Sequence, residues 1–155
     1  MAMSSLSRFV LAACAALFLC SGAHAAPTIS GNYYDEGTFA TCNTTSICKA
    51  LFSPIPAGRK VLITQISCDI QAAGNDAEIR GVSLGIQAGS QFVRSKVILP
   101  NLIYTAAGNA QRTYVVSQPI QLLVAVNRPA VSTFFSTNAD AINLFCQITG
   151  TISPP

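Results

Sequence analysis

The sequence predicts an all-β fold, a single antiparallel β-sandwich of jelly-roll type behind a signal peptide that is removed. Three observations carry this. Short alternating or apolar runs recur from residue 32 to residue 152, each closed by Gly, Pro, Asn or Asp, and nothing after residue 25 sustains a helical period. Two of the cysteines sit on the apolar sides of such runs. The chain has no Trp, so the Trp packed beside a disulfide that marks an immunoglobulin domain is absent; an immunoglobulin-like sandwich is the alternative.

The elements follow in order. Residues 1–25 read as the leader: Arg8 gives a positive start, Phe9 to Cys20 form an apolar run, and Ala23-His24-Ala25 is a small-residue cleavage site. The run is too short for a transmembrane anchor, which needs ~20 apolar residues. Residues 26–155 then form one domain, about 130 residues, enough for a single core. The spacing predicts strands over 32–34, 38–41, 50–52, 60–71, 78–86, 92–99, 113–116, 120–126, 130–135 and 143–152. "PAGR", "AGND", "AGS", "NRP" and "TNAD" are the turns between several of them. In 78–86, Val82, Leu84 and Ile86 form the core side, with Gly81 and Gly85 on the thin side marking a bulge or a close approach by another backbone. In 92–99 the expected inward residues are Val93, Val97 and Leu99, with Arg94 and Lys96 outward as edge protection. Leu99 to Gln111 reads as a long apolar loop and the expected binding segment.

Four cysteines survive removal of the leader: Cys42, Cys48, Cys68 and Cys146. An even number in an exported chain reads as disulfides, and four cysteines allow three connectivities. Alternation puts Cys68 with Leu62, Ile66 and Ile70, and Cys146 with Ile142, Leu144, Ile148 and Ile152, on core faces. We therefore pair Cys68 with Cys146, and Cys42 with Cys48 across a short polar turn. Chain entropy assigns roughly 4 kcal/mol to the long loop and roughly 2 to the short one. A bridge from an early strand to the last one favours the jelly roll, which brings such strands together. The tail "PIQLLVAV…VSTFFST…LFCQITGTI" resembles the closing strands of small secreted jelly-roll modules, over about a third of the chain; no functional residue comes with that resemblance.

Composition narrows the function. Arg8 is the only charged residue of the leader, so eight basic and six acidic groups remain, scattered, and no basic stripe for nucleic acid forms. The only histidine, His24, leaves with the leader, which removes the usual base for a serine or cysteine nucleophile and the imidazole ligands of a zinc site. No catalytic residue, metal site or cofactor is expected. Asp69, outward on the Cys68 strand, is the starting point for a less favoured reading as a small hydrolase. "GNDAE" (Asn75, Asp76, Glu78) groups oxygen ligands in a loop, and Asn43-Thr44-Thr45 is a glycosylation sequon.

The leading expectation is thus a non-enzymatic structural or interaction module, secreted or periplasmic, with the alanine-rich leader pointing to a bacterium. Its partner is a protein or a glycan, it does not insert in a membrane once cleaved, and its high apolar content (50 %) admits a homo-oligomer. A carbohydrate-binding module is the alternative, with Tyr104, Tyr114 and Phe134 as the expected aromatic surface. Adjacent aromatics in strands face opposite ways, so one of Tyr33/Tyr34 and one of Phe134/Phe135 is expected to leave the core.

Overall fold

The computed structural model describes residues 26–43, 46–74, 77–125, 127–136 and 139–154. The leader lies outside these, as do Asn75 and Asp76 of the GNDAE turn and Thr44 and Thr45 of the sequon. Ten strands are described: β1 (Thr28–Ser30), β2 (Tyr33–Asn43), β3 (Ile47–Leu51), β4 (Val61–Ala73), β5 (Ile79–Ala88), β6 (Gln91–Ile98), β7 (Asn101–Thr105), β8 (Gln111–Val124), β9 (Arg128–Phe135) and β10 (Ala141–Ile152). They form a six-stranded sheet, β1-β2-β10-β4-β8-β7, and a four-stranded sheet, β3-β9-β5-β6, with every pairing antiparallel.

The topology is that of a rolled-up ribbon. β2 pairs with β10, β3 with β9, β4 with β8 and β5 with β6, so the first half of the chain runs back along the second. Rolling that ribbon adds the pairs β10–β4 and β9–β5 and splits it into two sheets. This is the jelly roll. Alternation holds over the middle of its central strands: β4 buries Ile66, Cys68, Ile70 and Ala72, and β10 buries Ile142, Leu144, Cys146 and Ile148. A bulge at Thr64 flips the parity before it, so Val61 and Ile63 face the core and Leu62, expected there, is 36 % exposed. Both expected bridges are present. Cys68 and Cys146 sit directly opposite on neighbouring strands, with Cα atoms 4.1 Å apart. Cys42–Cys48 ties the end of β2 to the start of β3, and so one sheet to the other.

Several expectations need correction. The strands expected at 32–34 and 38–41 merge into one, β2, which begins at Tyr33, because Gly37 keeps its pairing and lies under the ring of Phe145. The strands expected at 113–116 and 120–126 likewise merge into β8, which ends at Val124; Pro119, opposite Gln65, lies beyond the stretch paired with β7, where a missing N–H is tolerated. The loop expected from Leu99 to Gln111 contains β7 and a 3-10 turn at Ala107–Asn109. All five residues of β7 are exposed, so it has no alternation to reveal it.

The inward face of β6 is also the opposite of the expected one. Val97 and Leu99 are 76 % and 75 % exposed, while Ile98 is 1 % exposed and pairs with buried Val82. The β5–β9 register slips just before Gly81, as expected of a bulge, and at Gly85 the space a side chain would need is taken by the ring of Phe92 as well as by backbone, the Arg94 carbonyl oxygen 2.9 Å from a Cβ there.

Two buried polar residues hold the β3–β4 connection to the sandwich. Glu36 accepts hydrogen bonds from the Tyr34 hydroxyl (2.5 Å) and the Ser53 N–H (2.6 Å), and Thr38 Oγ1 donates to the Leu51 carbonyl (2.7 Å). Burial, then the hydrogen bond and negative charge of Glu36, push the Tyr34 phenol above its ordinary pKa.

Candidate functional site

The outer face of the six-stranded sheet follows from the core by parity. With Cys68 and Cys146 inward, Asp69, Gln71, Asn143 and Phe145 must face solvent, and the same alternation turns Phe39 and Thr41 of β2 outward. Register then aligns them in rows. Phe39 stands opposite Phe145, which stands opposite Asp69; in the next row Thr41 is opposite Asn143, which is opposite Gln71. Each row crosses three strands, roughly 10 Å at the usual strand spacing.

The two rows enclose a shallow depression of about 310 Å³ lined by Phe39, Asp69, Gln71, Asn143 and Phe145. Phe39 and Phe145 are 57 % and 50 % exposed, a large apolar area for the outer face of a sheet otherwise rich in Ser, Thr, Gln and Asn. Phe145 leans over Gly37: a Cβ there would lie 3.7 Å from Phe145 Cζ, in ordinary van der Waals contact. Thr41 Oγ1 donates to Asn143 Oδ1 (3.0 Å), which fixes the amide and leaves its NH₂ group to donate elsewhere. The Asp69 carboxylate has no hydrogen-bond or ion-pair partner among the described residues. Apolar rings, amide donors and a free carboxylate acceptor therefore meet on a rigid, nearly flat surface.

Hydrolysis by paired carboxylates would need a second acid close to Asp69, within roughly 9.5 Å for an inverting enzyme. Asp35 shares the face, but it lies opposite Thr149, four residues along β10 from Phe145, and two strands across. Strand geometry puts the two acids about 16 Å apart. Gln147 Nε2 also donates to Asp35 Oδ1 (2.9 Å). No group of three or more His, Cys, Asp or Glu residues is placed to hold a metal among the described residues.

The aromatic residues expected to form a surface are scattered. Tyr104 is exposed on β7, at the margin of the six-stranded sheet. Tyr114, expected at the surface, is 6 % exposed; it shares the inward parity of Val116, and its hydroxyl accepts from the Ile79 N–H (3.5 Å). Phe134 is exposed on the outer face of the other sheet, opposite Ile47. The parity rule itself holds, since Tyr34 and Phe135 are buried while Tyr33 and Phe134 are exposed.

Neither a known protein family nor a curated protein matches the sequence. Among solved structures, the chain is similar to one from the cyanophage Pam1 capsid asymmetric unit. The identity is 14 % and the TM-score 0.40, with 88 % of this chain and 97 % of that chain covered. At that level the likeness adds nothing to a functional assignment.

Proposed function

We propose that this protein is a non-enzymatic recognition module of a secreted or periplasmic setting, and that it binds glycan on the outer face of its six-stranded sheet. The observation that carries this reading is the Phe39–Phe145 pair, held in register beside Asp69, Gln71 and Asn143. Sugar rings present apolar C–H faces ringed by hydroxyls. Exposed aromatic rings suit the former, and carboxylate and amide groups suit the latter. The two disulfides support an oxidising setting. Sequence alone ranks glycan second because Trp is absent; the paired phenylalanines bring it forward.

The test is an array of neutral polysaccharide fragments probed with the wild type, Phe39→Ala, Phe145→Ala and Asp69→Asn. Each variant should lose on the order of tenfold in affinity for whichever fragment binds, about 1.4 kcal/mol. Thermal stability should stay near wild type because these side chains are exposed. Equal binding by all four proteins would reject the site.

A protein partner, or a second copy of the chain, is the competing reading. It is favoured by the unpaired margin of β6 and β7, where Val97, Leu99, Leu102, Ile103 and Tyr104 are all exposed. Sedimentation over a concentration series separates it from glycan binding.

A further inference from the structure

The corrected face of β6 creates a second candidate site, away from the glycan surface. Directly paired residues share a face, so Arg94 opposite Ile86 and Lys96 opposite Leu84 lie on the same side as the core residues of β5. Both cations point toward the inner side of the sandwich margin rather than away from it. Just before Arg94, the β5–β6 register slips, and Val93 is the extra residue. A bulge re-aims side chains, and here it lets two consecutive residues, Val93 and Arg94, line one concavity.

That concavity measures about 390 Å³, within the range of roughly 300–1,000 Å³ usual for small-molecule sites. Ile86, Val93 and Leu123 give it an apolar wall. Its cations come from different sheets: Arg94 from β6, and Lys60 from the residue just before β4. The Lys60 backbone is fixed by two hydrogen bonds with Ser153, from Ser153 N–H to its carbonyl (2.8 Å) and from its own N–H to Ser153 Oγ (2.9 Å). No acidic residue lines the concavity, and neither cation has an ion-pair partner among the described residues. Two like charges facing one space repel, and an anion between them relieves that repulsion.

We infer that this concavity binds a small amphiphile with an anionic head, a carboxylate or a phosphate. The head pairs with Lys60 and Arg94 while its apolar body lies on Ile86, Val93 and Leu123. Edge protection alone explains inward cations on β6, but it does not explain a second cation from the other sheet or an apolar wall between them.

Isothermal titration of the full mature protein tests this with decanoate and decyl phosphate, and with decanamide, inorganic phosphate and anionic phospholipid vesicles as controls. Decanoate and decyl phosphate should bind at least tenfold more tightly than decanamide or inorganic phosphate. Lys60→Gln and Arg94→Gln should each lower that affinity about tenfold, as expected for lost charge-assisted hydrogen bonds, with thermal midpoints unchanged. Val93→Ser should weaken decyl phosphate but not inorganic phosphate. The inference is overturned if decanamide binds as well as decanoate, if the variants bind like wild type, if only vesicles bind, or if nothing binds.

Discussion

Removing the two bridges separately should cost the protein unequal amounts of stability. Cys68 and Cys146 lie on β4 and β10, each paired on both sides within the six-stranded sheet. Hydrogen bonding already holds those strands together in the folded state, so their bridge acts chiefly on the unfolded chain. It closes a loop with a sequence separation of 78, and the Cys42–Cys48 bridge one of 6. Loop-closure entropy gives about 4.5 kcal/mol for the first and about 2.2 kcal/mol for the second at 25 °C. Sulfur lost from buried positions adds a packing penalty to both, larger for Cys68 and Cys146, which are both fully buried, than for Cys42, which is only partly so. Urea unfolding of the Cys68→Ala/Cys146→Ala and Cys42→Ala/Cys48→Ala double variants measures the two losses. The long-loop variant should lose about twice as much free energy, while glycan binding well below its melting temperature persists. An equal or greater loss in the short-loop variant would refute the reasoning. So would a long-loop variant that kept its stability and lost binding.

Other outcomes follow from close contacts and one buried hydroxyl. A Cβ on Gly150 would fall 2.1 Å from the Leu62 carbonyl oxygen and 2.9 Å from Ile63 Cα, both backbone atoms, so Gly150→Ala should cost more than about 3 kcal/mol in urea unfolding. At Gly85 a Cβ would meet the Phe92 ring at 2.1 Å, which can swing away, and the Arg94 carbonyl oxygen at 2.9 Å, which is backbone, so Gly85→Ala should cost about 2–3 kcal/mol, less than Gly150→Ala, and separate Phe92 from Lys49, now 5.3 Å from the ring centre. The Tyr34 phenol keeps its proton to higher pH in the folded state than in the unfolded one. Its contribution is therefore fully present below about pH 10 and declines as pH rises further, by up to about 1.4 kcal/mol per pH unit. Tyr34→Phe should flatten that alkaline decline in urea midpoints taken between about pH 8 and 11.

The sandwich was legible wherever one face of a strand meets the core. β10 alternates cleanly, as does β4 beyond its bulge at Thr64, and that alternation located both inward cysteines and their bridge. At the margins the signal failed for a physical reason. β6 and β7 each have a free edge and expose residues on both faces, so apolar character there reports neither burial nor direction. β1, three exposed residues long, gives no pattern at all.

The candidate site was half legible. Pairing Cys68 with Cys146 on adjacent antiparallel strands places Asp69 opposite Phe145, one step along, and Gln71 opposite Asn143. Phe39 could not be placed the same way, because its position beside Phe145 depends on the register of β2, which no bridge to β10 sets. Tyr114 was misjudged because an aromatic residue with a polar tip suits a surface as readily as a core in which its hydroxyl finds a partner.

An NMR titration of the ¹⁵N-labelled mature protein with soluble fragments of β-glucan, xylan, chitin and mannan tests the central claim most directly. Glycan recognition on the sheet face predicts that at least one fragment shifts the backbone amides of Phe39, Asp69, Gln71, Asn143 and Phe145 together, leaving Phe134 and the 97–104 margin still. Shifts confined to that margin, or no shift with any fragment, would contradict it.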